Sequence, residues 1–335
     1  MRSHFYLAVL GLLSLVFYIG LTVLSQDFNW GEGYSKRPIL EYLAVYFFLF
    51  SLYALACLSI FKSSWTKEKF WIIIAFGLLF RFAIIPSQQI QEDDVYRYLW
   101  DGKVFANGIN PFKFSPEEIN RYKSIKIQKP EYFRTHYDKN EQNELAILNG
   151  LKWESDIALR YIERINHPGV PTIYPPLAQY VFRFSQQINT DSILTLRIFF
   201  LAFDLMGMIF IILALKTLNL NQNFSLVYFW SPLMIKETYN STHLDIIGIS
   251  CLCASLYFLI RKGMVGSIFF LALSVLGKFY SAVLLPLYLQ RFWLVAQESS
   301  KRGTATLAIL LIFFCTVIII FYLPFLNIGG RVFEG

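Results

Sequence analysis

About nine stretches of this chain are apolar enough to cross or enter a bilayer whose hydrocarbon core is roughly 30 Å thick, and that pattern dictates most of what it can fold into. They run over residues 5–24, 39–61, 70–86, 193–216, 224–238, 242–260, 264–276, 278–289 and 305–324. Lipid offers no water to backbone N–H and C=O groups, so segments of this length must satisfy themselves as helices. A chain that is 56% hydrophobic, 18% aromatic and only 16% charged departs from soluble averages in the same direction. The expected fold is an all-α polytopic membrane protein.

Short loops set the orientation, because Lys and Arg accumulate on the cytoplasmic side of spans. Lys62, Lys67 and Lys69 lie between the second and third stretches, Arg261 and Lys262 follow the sixth, and Arg291, Lys301 and Arg302 precede the ninth. All three clusters fall on one side when 264–289 is a hairpin of two short helices broken near Gly277 and Lys278. The amino terminus is then inside; residues 87–192 and the carboxyl end are outside. Lys36 and Arg37 oppose this order but are offset by Asp27 and Glu32. The net charge of +7 is dispersed along such flanks, which argues for membrane lipids and against nucleic acid as partner. Residues 5–24 are longer than a signal-peptide core and end without a small-residue cleavage site, so they read as a retained span. Cys57, Cys251, Cys253 and Cys315 all sit in apolar stretches, which suits packing rather than disulfides or a metal. The chain thus divides into three first spans (1–86), an external loop (87–192) and further spans (193–335).

Within the loop, residues 113–170 carry ten Lys/Arg against nine Asp/Glu and are far longer than a connector needs. Ser115 and Pro116 signal one helix start and Ser155 another. In the second helix Ile157, Tyr161, Ile162 and Ile165 fall on one face, which should lie on the bilayer or pack against spans. Pro168 and Gly169 end that helix, and Pro175-Pro176 sets the backbone before the next.

Directly after the third stretch comes EDDVYRYLWDGKVFANGINPF, residues 92–112. Read as a helix from Asp94, it places Arg97, Tyr98, Asp101 and Phe105 on one face and Asp93, Tyr96 and Trp100 on the adjoining one. Carboxylates, a guanidinium and rings together suit a phosphate or a sugar. Simpler roles exist: Asp93 and Asp94 as helix caps, Arg97 as partner of Asp93 or Asp101, Tyr98 and Trp100 as interface anchors. Capping needs one acid, not three in a row. A second polar cluster, KETYNSTHLD (236–245), sits between two apolar stretches and holds Lys236, Glu237, His243 and Asp245, ionisable groups that are costly at span ends unless used. Lys278 either snorkels to the interface or attracts phosphate. Tyr174 shapes the mouth of a groove.

EDDVYRYLWDG with NGINPF, INHPGVPTIYPPLAQ, WSPLMIKETYNSTHLD and LGKFYSAVLLP resemble, in this order and from about residue 80 onward, the motifs of bacterial mannosyltransferase-like members of the GT-C glycosyltransferases. The resemblance implies a GT-C-like helical bundle with a large external loop carrying amphipathic juxtamembrane helices. It implies transfer of a hexose, with mannose the commonest label, from a polyprenyl-phosphate donor to a lipid-linked or envelope glycan acceptor on the periplasmic face of a bacterial inner membrane. Asp93 matches the first acid of the family's pair and is expected as the base, with Asp94 as second acid. Arg97, Tyr98, Asp101, Tyr174, Lys236, Glu237, His243, Asp245 and Lys278 are the expected substrate contacts. No cofactor is required by the motifs; a divalent metal, for example on His243 and Asp245, stays open. Family members commonly continue for several more spans past the equivalent of LPFLNIGGRVFEG, so a fragment is expected. The alternative is a transporter or flippase of a lipid-linked saccharide, against which stands the lack of an inverted repeat.

Overall fold

The computed structural model describes residues 2–29, 31, 33–298 and 303–333; Glu32, Lys301 and Arg302 from the charge argument lie outside the described residues. Among the described residues every regular element is helical. The helices are α1 (Arg2–Leu24), α2 (Ile39–Phe61), α3 (Lys67–Ile84), α4 (Asp94–Ala106), α5 (Pro116–Gln128), α6 (Pro130–His136), α7 (Lys139–Leu151), α8 (Asp156–Glu163), α9 (Pro176–Ile188), α10 (Ile193–Thr217), α11 (Leu226–Phe229), α12 (Pro232–Ile235), α13 (Asp245–Ile260), α14 (Met264–Gly277), α15 (Leu285–Glu298) and α16 (Gly303–Tyr322).

Five helical stretches are long and apolar enough to span a membrane: His4–Asp27, Ile39–Phe61, Ile193–Thr217, Phe279–Gln297 and Gly303–Phe333. Nine expected apolar segments therefore resolve into five of spanning length, and the others fall short for identifiable reasons. Helix α3 carries Lys67, Glu68, Lys69 and Arg81; α13 and α14 are shorter. The expected 224–238 span is not one helix. It is a 3₁₀ turn, then α11, α12 and a π-helical turn over Lys236–Asn240. Pro232 lacks an N–H and forces Ser231 out of the helical region (ψ 117°), so the helix restarts with Ser231 as its cap. The break between α14 and the next segment falls at extended Lys278, as expected.

Freed backbone groups in apolar surroundings need partners. The Val227 carbonyl accepts from the Tyr53 hydroxyl at 2.7 Å and the Phe229 carbonyl from Arg81 Nη1 at 2.7 Å. Arg81 also closes a two-point ion pair on Asp204 (2.6 and 3.3 Å), whose oxygens accept in addition from Tyr228 (2.8 Å) and Tyr239 (2.7 Å). This network, buried at Arg81, Asp204 and Tyr239, ties α3 and α10 to the broken segment. Gly77 permits it: a Cβ there would meet Phe229 Cδ1 at 2.1 Å.

Residues between α3 and α10 share one buried core with Leu196 and Phe200 of α10 and with Leu244, Ile246 and Ile247. Ser115 and Glu118 make a capping box for α5, and Ser155 Oγ accepts from Ala158 N at the start of α8, as the sequence indicates. Helices α6 and α7 escaped the sequence reading; α7 has its own capping box from Asp138 and Glu141. On α8, Ala158 and Ile162 are buried, as is Ile165 just beyond the helix, but Ile157 is 57% exposed; the Tyr161 side chain is outside the described residues. Helix α4 is enclosed on nearly every side and lies so close to α9 that a Cβ on Gly102 would meet the Phe182 carbonyl oxygen at 2.5 Å.

Span ends cluster into two groups. Thr22 bonds to the Ala83 carbonyl and Ser25 to Gln88 N at one end, while Asn221 reaches the Ser63 carbonyl at the other. With the Lys-rich 62–69 loop inside, a cysteine placed at exposed Asn140 is expected to react with a membrane-impermeant maleimide in intact cells, and one at exposed Ser64 only after lysis. The opposite pattern inverts the assignment.

Candidate functional site

Two pins bring the acidic run against the second polar cluster. Buried Arg197, five residues into α10, donates from Nε to Thr242 Oγ1 (3.0 Å), from Nη2 to the Asn240 carbonyl (3.0 Å), and from Nη1 to the carbonyls of Ile85 and Ser87. Asn240 donates to Ser87 Oγ (2.9 Å) and the Gln88 carbonyl and accepts from Ile90 N (3.3 Å). Residues 85–90 and 240–242 are therefore held against each other, and Glu92 lies beside His243. Neither pin was among the expected residues. An arginine inside an apolar stretch was the available signal.

His243 stands among three carboxylates: Nε2 is 3.7 Å from Glu237 and 3.9 Å from Glu92, and Nδ1 is 3.7 Å from Asp245. Lys278 contacts the same Asp245 oxygen at 2.5 Å. Glu237, His243 and Asp245 form the polar side of a 240 Å³ cavity whose walls are Leu233, Met234, Ile246 and Ile249. Lys236, expected near a donor phosphate, is 1% exposed. Its ammonium reaches Gln91, Glu237 (3.0 Å) and Ser241 (2.9 Å), which uses its three protons. It is a strut holding Gln91 to the cluster.

The two aspartates at the start of α4 diverge into different cavities. Asp93 occupies the cap position without making a capping hydrogen bond. It shares a small 40 Å³ recess with Glu92, Tyr96, Arg37 and Arg164. The Arg164 guanidinium lies 4.6 Å above the Tyr96 ring and donates to its hydroxyl. Burial lifts the Asp93 carboxyl above its ordinary range; Arg164 and Arg37 pull it partly back, while Glu92 and Asp94 add to the rise. Asp94 instead lines a 420 Å³ cavity with Arg97, Asn166, His167, Val170 and Tyr174. Arg97 holds Asp101 at 2.8 Å and the Val170 carbonyl at 3.0 Å, which fixes the cavity's far lip, where His167 has φ 53°. Tyr174 stands edge-on to Tyr98 at 4.9 Å, and Tyr98 stacks on Phe182 at 4.7 Å.

Tyr98 and Asp101, two of the expected substrate contacts, are packed inside the protein, 1% and 2% exposed. Asp101 takes hydrogen bonds from Arg97 and Gln179, and Tyr98 backs Tyr174. Their local helix face was read correctly; what covers it, α9, was not legible from spacing. Arg37, Arg164, Asn166 and His167 are the cavity-lining residues that sequence reasoning missed. Among the described residues no group of three or more His, Cys, Asp or Glu is placed to hold a metal ion, so His243 with Asp245 gains no third ligand. Comparison with protein-family models, curated proteins and solved structures returns no match to this chain.

Proposed function

We propose that this chain is an inverting membrane hexosyltransferase of GT-C type, passing a hexose, mannose favoured, from a polyprenyl-phosphate donor to a lipid-linked or envelope glycan acceptor on the external face of a bacterial inner membrane. One observation carries the reading: two adjacent carboxylates at the start of one helix open into neighbouring cavities of very different size. A space of 420 Å³ falls in the range of small-molecule sites of about 300–1,000 Å³ and suits a pyranose, with Asp94 and Asn166 for hydroxyls and the Tyr174 ring for its apolar face. The recess at Asp93 admits little more than one hydroxyl group.

In this reading Asp93 takes the proton of the acceptor hydroxyl as that oxygen forms its bond to the anomeric carbon. The bond from the anomeric carbon to the phosphate oxygen breaks, and the lipid phosphate leaves with the electron pair. A carboxylate whose proton affinity is raised by burial is the better base. The base form is lost as pH falls through the raised value, so kcat/KM is expected to drop on acidification at a pH above the ordinary carboxylate range of about 3.9. The apolar cavity beside Glu237, His243 and Asp245 supports entry of a lipid-borne group from the bilayer. Mass spectrometry of envelope glycolipids from cells with and without the gene is expected to show one hexose missing. Identical glycolipids, together with no transfer from polyprenyl-phosphate hexoses in nanodiscs, defeat the proposal.

A further inference from the structure

We infer that the α5–α6 hairpin carries a further binding site, a groove for an anionic glycan, in which Arg121 and Lys129 meet carboxylate or phosphate groups and the Tyr132 ring lies under a sugar. The inference does not rest on the transfer reaction, since the groove shares no residue with the cavities at Asp93, Asp94 or His243. Pro130 creates it. The proline keeps Lys129 out of the helical region (φ −134°, ψ 60°), so α5 stops there and α6 starts at a new angle. Tyr122 and Phe133 seal the inner side of the bend with ring centroids 5.6 Å apart, and both belong to the core. A second side stays open as a space of 380 Å³ lined by Arg121, Ser124, Ile125, Gln128, Lys129 and Tyr132. That volume lies within the usual range of small-molecule sites, about 300–1,000 Å³.

The polar side chains of this groove are equipped for a ligand and little used by the fold. Arg121 gives Nη2 to Glu117 at 2.6 Å, which steadies a guanidinium that has five N–H donors. Ser124 Oγ donates to the Arg121 carbonyl at 2.8 Å and keeps its lone pairs for a donor. Lys129 makes no ion pair among the described residues. Tyr132 is 48% exposed although Phe133 beside it is in the core, and His136 stacks on its ring at 4.8 Å with the planes 15° apart. A ring kept at the surface in a fixed attitude is a platform for the apolar face of a pyranose. Charge then selects the ligand. Residues 121–139 hold six Lys/Arg against two Asp/Glu, and no carboxylate lines the groove. Such a field attracts anions, and a guanidinium takes a carboxylate or phosphate through paired N–H groups. The hydroxyl of Ser124 and the amide of Gln128 complete a set suited to sugar hydroxyls. The hairpin packs mainly on α7, and a bent groove with a ring on its wall fits a single glycan chain better than a flat bilayer.

The test uses the full chain in phosphatidylcholine nanodiscs at about 0.15 M salt, where exposed charges are already well screened. Hexagalacturonate and mannopentaose phosphate are the anionic probes; the methyl ester of the first and plain mannopentaose are their neutral forms. Calorimetry is expected to show saturable binding of both anionic glycans, about tenfold or more tighter than the neutral forms, by the usual strength of charge-assisted hydrogen bonds. Arg121→Gln combined with Lys129→Gln is expected to remove that preference. Tyr132→Ala should weaken every glycan, while Tyr132→Phe keeps the binding. All three positions are exposed, so each variant should unfold at the temperature of the unaltered chain. Absence of saturable binding, equal binding of charged and neutral forms, or a preference that survives the double substitution overturns the inference. Displacement of the glycans by inorganic phosphate at equal concentration overturns it too, because the groove is then an anion site alone. A membrane occupant is tested on the unaltered chain with phosphatidylglycerol bearing a diazirine on its headgroup: adducts on the 121–139 peptides overturn the glycan, and adducts confined to other segments agree with it.

Discussion

Replacing Asp204 by alanine is expected to lower the stability of the detergent-solubilised chain by about 3–5 kcal/mol, the usual consequence of removing one partner from a buried ion pair. The substitution leaves the Arg81 guanidinium charged and wholly buried with only the Gly77 and Phe229 carbonyls to face, and it strips the acceptor from the Tyr228 and Tyr239 hydroxyls. The damage should concentrate where the broken segment 222–240 meets α3 and α10. Pairing Asp204→Leu with Arg81→Met is expected to be milder than Asp204→Ala alone, because no uncompensated charge remains. Thermal unfolding followed by intrinsic fluorescence checks both; an unchanged midpoint in Asp204→Ala refutes a structural role for the pair.

The largest effect on activity is expected from Asp93→Asn, with hexose transfer falling about a hundredfold or more, since an amide keeps the shape but cannot accept the proton. Donor binding should change little, because the larger cavity is lined by Asp94 and not by Asp93. Asp94→Asn gives the contrast: its main effect should be a higher KM for the sugar donor. Unchanged turnover in Asp93→Asn would remove that residue from the mechanism and transfer the base role to Asp94. Titrating lipid-phosphate binding and turnover on the same preparations separates the two outcomes.

How much of this was readable in advance differs from residue to residue. The neighbourhood of His243, Glu237, Asp245 and Lys278 followed from burial cost, since ionisable groups beside apolar helices are kept there by one another. Lys236 obeyed the same rule, yet its proton set proved full, and only the position of Gln91 reveals that. Pro232 carried a legible warning that 224–238 could not be one helix, and apolar length concealed it. Arg164 and Arg37 carried no such signal: solvated-looking arginines in a charged loop and a short connection acquire meaning only when Asp93 lies beside them.

From its sequence alone this chain is an all-helical membrane-type protein with a folded loop between its early and late spans, because apolar runs of bilayer length and capping residues act over distances of a few residues. The division of labour at the start of α4 was decided by tertiary structure. Asp93 is the cap residue with non-helical backbone and Asp94 the first residue of α4, so the two side chains leave the chain differently, but into what depended on partners far along the chain. Arg164 stands 71 residues from Asp93, and Asn240 reaches back 150 residues to Ile90. Local periodicity states which way a side chain leaves its own helix; the groups waiting there are set by how the helices pack.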